Sequence, residues 1–207
     1  MTRTVLAVLF LLAALGCALA FEAASAAAAA LELAARAEAS PTAGIKQRLL
    51  QRARERLESS WAEPLAWHAG AAEALSGVLY EQAAASGTSE LYRASGVFAE
   101  RAVRLSPVIA NAWTRLAVLD RAGFGRPICS AAQCLANSWR AAPLLAGESA
   151  CARIRVQNSV TPLSPDDGRI QAFLDSQSSE RAAARCLDFL PPQELYRALL
   201  EARARRP

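Results

Sequence analysis

Strand pattern, histidine, lysine and aromatic bulk are all scarce in this chain. No alternating apolar–polar run of strand length occurs, which excludes a sheet and leaves an all-α fold. Aromatic residues make up 6% of the 207 residues, so the core must be thin and built from closely packed helices. Much of the 53% hydrophobic content is alanine, which favours helix without adding bulk. Lys46 is the single lysine, so arginine carries nearly all the positive charge behind the net +4. That arginine is interleaved with glutamate, as in Arg52-Ala53-Arg54-Glu55-Arg56 and Glu100-Arg101-Ala102-Val103-Arg104. Interleaving describes a solvated helix face, whereas a nucleic-acid binder concentrates its charge on one side. No nucleic-acid partner is expected.

Recognisable chemistry is equally scarce. There is no G-x-S-x-G elbow, no phosphate-binding P-loop and no H-E-x-x-H pair. His68 is the sole histidine and follows Trp67 on an apolar helix, so it reads as a packed or surface residue and not as a base. Asp166-Asp167 would be the only paired carboxylates to consider for glycoside chemistry. Adjacent residues at a helix start point different ways, and capping accounts for them. The reading is non-catalytic, with no metal and no cofactor; a small exported glycan-acting enzyme stays the alternative, without a residue to carry it.

The N-terminus sets the compartment. Arg3 precedes an apolar run that extends from Thr4 to Phe21, a secretory h-region behind a short positive segment. Three fates compete. Ala18-Leu19-Ala20 fits the A-x-A cleavage rule; Ala14-Leu15-Gly16-Cys17 resembles a lipobox with leucine and alanine exchanged; and residues 4–21 suffice for a tilted span, since about 17–25 residues are needed. An alanine-rich helix follows without a break, which favours a signal anchor of the bacterial inner membrane with the bulk in the periplasm. Cleavage near Ala20 would instead release a soluble periplasmic protein.

Apart from Cys17, four cysteines remain: Cys129, Cys134, Cys151 and Cys186. An even number in an exported domain favours disulfides, with three pairings open and buried unpaired thiols as the rival. A zinc site lacks the second closely spaced pair that it would need.

Along the chain, residues 1–21 form the anchor or signal segment, 22–44 an alanine-rich stalk or linker, and 45–207 a helical domain. Pro41 and Gly44 mark the expected boundary. Ile45, Leu49, Ala53 and Leu57 recur every four residues, a stripe that favours a packed first helix over one lying on anionic lipid. Ser60-Trp61-Ala62-Glu63 before Pro64 reads as a capping box that opens the next helix through Ala71, Leu75 and Leu79. Further helices are expected over 90–105, Ala110–Arg121, 130–142, 144–156, 179–189 and 192–203. Another is expected to start at Ser164-Pro165-Asp166-Asp167, with Ser164 as its cap.

The order Trp113-x2-Leu116-Ala117-x2-Asp120, then Ala131-x3-Leu135-x2-Ser138-x4-Pro143, resembles a tetratricopeptide repeat. Alanine stands for the usual glycine, aspartate for the tyrosine, and the turn is about two residues longer. A looser unit precedes it, from Trp67, Gly70 and Ala71 to Ala94, Phe98, Ala102 and Pro107. The resemblance covers roughly residues 64–143 and implies an array of antiparallel hairpins that binds a protein partner in a groove, with Asn111, Arg115 and Asp120 as candidate contacts. Asn111 has an alternative as a helix cap. An anchored, alanine- and arginine-rich chain of this layout is similar to the VpsP-like accessory proteins of bacterial exopolysaccharide assembly, which implies a membrane-bound synthesis or export component as partner. A structural envelope-associated protein is the third class. Trp61, Trp67, Trp113 and Trp139 are read as core residues before any sugar-stacking role.

Overall fold

The computed structural model describes residues 2–61, 68–126, 128–145, 147–177 and 179–205. Within them the fold is all-α, without a strand: α1 Thr2–Glu38, α2 Ala43–Trp61, α3 Ala69–Ser86, α4 Ser89–Leu105, α5 Ala110–Arg121, α6 Ala131–Ala141, α7 Gly147–Val160, α8 Gly168–Ser176, α9 Glu180–Cys186 and α10 Pro192–Ala204. The chain divides into two compact units, Met1–Ser106 and Pro107–Pro207. The break expected at residue 44 falls in the first turn of α2, just past a helical-hairpin turn at residues 39–42, and the alanine-rich segment before it is packed against α2 and α3.

In the first unit α1 changes character along its length. It is the one helix among the described residues that is long and apolar enough to cross a membrane or act as a signal anchor, with a mean hydropathy of 2.5 over its best window. Val5, Leu9, Phe10, Leu12 and Phe21 are all exposed. From Ala26 onward the helix turns alanines inward, and Ala27, Ala30 and Ala37 are buried with Leu50, Ala53 and Leu57 of α2 and with Ala71, Leu75 and Leu79 of α3. The α2 stripe is therefore packed, although its registry is Leu50–Ala53–Leu57, and Ile45 stays exposed.

The α3–α4 pair crosses on short side chains. Ser76 and Ser95 are fully buried there; each hydroxyl donates to the other residue's carbonyl at 2.8 Å. Ala72, Ala99 and Ala102 are buried alongside. The box expected at Ser60 does not open α3. Ser60 lies inside the last turn of α2, Glu63, Pro64 and Trp67 fall outside the described residues, and His68 is the N-cap of α3.

In the second unit α5 and α6 form a hairpin, and α7 packs on both as well as on α8 and α9. Trp113, Leu116 and Ala117 on α5, and Ala131, Leu135 and Ser138 on α6, are among the buried positions. Thr114 and Ser138 share a 2.8 Å hydroxyl contact at this crossing, and Ser138 also donates to the Ala110 carbonyl at 3.1 Å. Ile154, Ile170, Phe173, Leu174 and Leu187 build the remaining core. Several element ends differ from the sequence reading: α7 begins at Gly147 and not at 144, and α9 ends at Cys186 and not at 189. Helix α7 continues to Val160, past the expected end at 156, and α8 starts after Asp167, with Ser164 in the preceding turn, where its carbonyl accepts from Asp167 N–H at 3.0 Å.

Both disulfides lie in this unit: Cys129–Cys134, with Cα atoms 5.6 Å apart, and Cys151–Cys186, at 5.2 Å. The second joins α7 to the end of α9 across a separation of 35 residues, the first closes only 5. Loop-closure entropy then ranks them. Alanine at both Cys151 and Cys186 should lower the unfolding free energy of the second unit by about 3–4 kcal/mol, and at both Cys129 and Cys134 by about 2 kcal/mol. Chemical denaturation of the two variants tests the order, and equal losses would show that loop length does not control it.

Candidate functional site

Helix α5 begins without a side-chain cap. Ile109 is its N-cap residue, so Asn111 does not cap it. Asn111, Arg115 and Val118 follow at helical spacing as the half-buried line of α5, while Ala112, Trp113, Leu116 and Ala117 turn inward. The Asn111 Oδ1 atom is buried and has no hydrogen-bond partner among the described residues. A buried amide oxygen without a partner is unfavourable.

Asp120 does a different job. Its Oδ2 accepts from Ala131 N–H, the first residue of α6, at 2.8 Å. A carboxylate at this end satisfies an orphan amide and lies against the positive end of the α6 dipole. The loop between the helices is shaped to reach it. Gly123 adopts φ +79° and, with Phe124 N–H donating to the Leu119 carbonyl at 2.8 Å, closes α5 in a Schellman turn. Gly125 passes so near that an added Cβ would overlap Asp120 Oδ1 at 2.2 Å. Ser130 and Gln133 complete the start of α6 as a capping box, a signal that was readable in Ser130-x2-Gln133. Asp120 thus holds the hairpin together, and Asn111 and Arg115 stand apart from it on α5.

The residue with the greatest local consequence escaped the sequence reading. Arg153 on α7 is 1% exposed and donates to the carbonyls of Ser138 at 3.3 Å, Ala142 at 2.6 Å and Pro143 at 3.1 Å. The Ala142 and Pro143 carbonyls lie past the last turn of α6, where the helix supplies no donor, while the Ser138 carbonyl also accepts the Ala142 N–H at 3.1 Å. Its guanidinium carbon lies 3.7 Å from the centre of the Trp139 ring, whose Nε1 donates to Gln157 at 3.3 Å. Burial lowers the Arg153 pKa to about 10, so the group is still charged at neutral pH. The cation sits where the α6 dipole is negative and where an aromatic face accepts it.

The two candidate catalytic groups are engaged in capping. His68 Nδ1 accepts from Ala71 N–H at 3.2 Å, and Gly70 leaves room for its ring. Asp167 Oδ1 accepts from Arg169 N–H at 2.8 Å, and both carboxylate oxygens also receive the Arg169 side chain, at 2.9 and 2.8 Å. The exposed Asp166 pairs loosely with Arg197 at 3.8 Å. Of the tryptophans, Trp113 is buried with Nε1 donating to the Pro107 carbonyl at 2.8 Å, and Arg153 covers one face of Trp139. Trp67 lies outside the described residues. No cluster of three or more metal-ligating side chains occurs among the described residues. No protein-family model matches the chain, and no curated protein matches it either.

Two predictions follow from these contacts. Arg153→Ala should destabilise the second unit by about 3 kcal/mol or more, because buried carbonyls and the Trp139 face lose their partner. Arg153→Lys should recover only part, since an ammonium cannot reproduce the fork. A thermal unfolding series reads both, and full recovery by lysine would show that charge alone matters. The Arg169 side chain, by hydrogen bonding, holds the Asp167 carboxyl below the usual aspartate range against a smaller opposing effect of burial. A carboxyl more acidic when folded stabilises above its unfolded pKa of about 3.9, and the contribution fades as pH falls through the native value. Asp167→Ala should therefore cost about 1 kcal/mol at pH 7, with the gap to the parent chain closing below about pH 4.

Proposed function

We propose that the chain is a non-catalytic, membrane-anchored helical adaptor of a bacterial envelope machine, in the manner of a divergent tetratricopeptide-repeat protein. The observation that carries this reading is the division of roles on α5. The residues that the repeat resemblance assigns to packing, Trp113, Leu116 and Ala117, are buried. Asn111 and Arg115 form a half-buried line beside them, and Asn111 offers an unpaired acceptor. A segment laid in a helical groove would run along this half-buried line. Asp120 contributes through the hairpin it closes and is not a contact residue. His68 and Asp167 are occupied as caps, which leaves the glycan-acting alternative without a free group at those positions.

The exposed apolar half of α1 supports attachment to a membrane, and disulfides in the second unit suit an oxidising compartment such as the periplasm. Together with the resemblance to VpsP-like proteins, this makes a membrane-bound component of exopolysaccharide synthesis or export the proposed partner. A photo-crosslinking residue at position 111, introduced in cells, should capture such a component, and Arg115→Glu should abolish capture. Unchanged amount and chain length of secreted polysaccharide after deletion of the chain would sink the assignment.

A further inference from the structure

We infer that the cleft between α1 and α2 binds the headgroup of an amine-bearing phospholipid, with phosphatidylethanolamine as the ligand, at the surface of the membrane that α1 crosses. The inference rests on the anchor reading of α1. Helices α1 and α2 form a hairpin closed by residues 39–42, so α2 runs back toward the apolar end of α1. A cleft of about 670 Å³ lies between them, lined by Glu22, Ser25, Arg52, Arg56 and Ser59, and also by Glu55. Glu22 immediately follows Phe21, the last residue of the exposed apolar stretch.

Axial rise places these groups. Arg56 shares the cleft with Ser25, four residues beyond Phe21, which is ~6 Å along the helix axis. The headgroup layer of one leaflet is roughly 5–7 Å deep. Arg52 is one turn further out, and an arginine can reach back to the interface along its aliphatic stem.

The charges in the cleft match a zwitterion. Elsewhere on α2 the cations are engaged: Lys46 pairs with Glu81 at 3.2 Å and Arg54 with Glu58 at 2.7 Å, while Arg48 Nε donates to the Gly44 carbonyl at 3.3 Å. Glu55 accepts the Gln51 amide at 2.9 Å. Arg52, Arg56 and Glu22 line one cleft, yet none of the three forms an ion pair among the described residues. Two guanidinium groups four residues apart suit a phosphodiester. Glu22 suits the ammonium of the same headgroup, and the Ser25 and Ser59 hydroxyls, which donate to the Glu22 and Arg56 carbonyls at 2.8 and 2.9 Å, keep lone pairs that can accept from it. A simple anionic headgroup would leave the Glu22 carboxylate facing it unfavourably. A quaternary choline would present no N–H to Glu22.

The full chain is reconstituted into phosphatidylcholine vesicles, washed at alkaline pH, then taken up in mild detergent and titrated with single lipids under native mass spectrometry. Phosphatidylethanolamine should be retained over phosphatidylcholine and phosphatidylglycerol. Arg52→Gln with Arg56→Gln should weaken its retention about 30-fold. Glu22→Gln should weaken phosphatidylethanolamine while leaving phosphatidylglycerol unchanged or improved. All three positions are exposed, and unchanged helicity of the variants checks that folding is intact. Equal retention of the three lipids, a preference for phosphatidylglycerol in the parent chain, or undiminished retention in the double variant overturns the proposal. So does equal binding of soluble glycerophosphoethanolamine, which would point to a free metabolite. A chain that washes off the vesicles overturns the anchor reading along with it. One that stays inserted without lipid preference overturns this inference alone.

Discussion

Short side chains at the helix crossings are the constraint on which both units depend. Two helices can approach closely only where the residues between them are small, and this chain supplies alanine and serine at those places. In the first unit Ser76 and Ser95 exchange hydrogen bonds across the α3–α4 crossing, with Ala72, Ala99 and Ala102 buried nearby. In the second, Thr114 and Ser138 do the corresponding work between α5 and α6. Each buried hydroxyl has a partner, so close approach leaves no unsatisfied group at these positions. The same choice limits stability. An alanine buries far less apolar surface than a leucine, and apolar burial scales with area. Cohesion in the second unit therefore draws on other devices.

Helix α7 collects those devices. Arg153 fastens it to the C-terminal carbonyls of α6, Cys151 ties it to Cys186 at the end of α9, and Arg155 donates to the Arg185 carbonyl at 2.7 Å. Three successive odd-numbered positions on one helix thus reach different neighbours, which a 100° step per residue makes possible. The Arg153 arrangement has a further property. Its acceptors are backbone carbonyls and a ring face, not a carboxylate, so the buried cation is matched by oriented dipoles. Such a match is rigid, because the carbonyls belong to a helix end that the α5–α6 hairpin already positions through Asp120 and Ala131.

Much of the fold could be read from residues alone, and the failures have physical causes. Helix interiors follow from alanine content and from proline stops, and the buried positions of α3, α5 and α6 follow from their apolar spacing. Helix starts were harder. Ser60 and Ser164 both sit before proline and acidic residues, a pattern that mimics a cap, but Ser60 is absorbed into α2 and Asp167 displaces Ser164 by accepting from Arg169 N–H. His68 caps α3 through a ring nitrogen, which no common capping pattern announces. Arg153 was invisible because its partners are main-chain atoms that any sequence possesses. Asn111 and Arg115 fall on one half-buried line of α5, as helical spacing requires, whereas the turn that brings Ala131 to Asp120 depends on the long-range geometry of the hairpin.

The composition of α1 separates two environments within one continuous helix. From Val5 to Phe21 most of its residues are apolar and exposed; from Ala26 alanines turn inward and meet α2 and α3. Lipid rewards bulk, and a helix–helix contact rewards its absence. The change falls within about one turn of Glu22, so the packed half of α1 is complete without the apolar half. Cleavage after Ala20 would remove no buried side chain from the described part of the first unit. The buried core of the first unit thus lies wholly beyond that segment among the described residues. The proposed headgroup site of Glu22, Arg52 and Arg56 depends on retention, because only a retained span would bring these residues to a lipid surface.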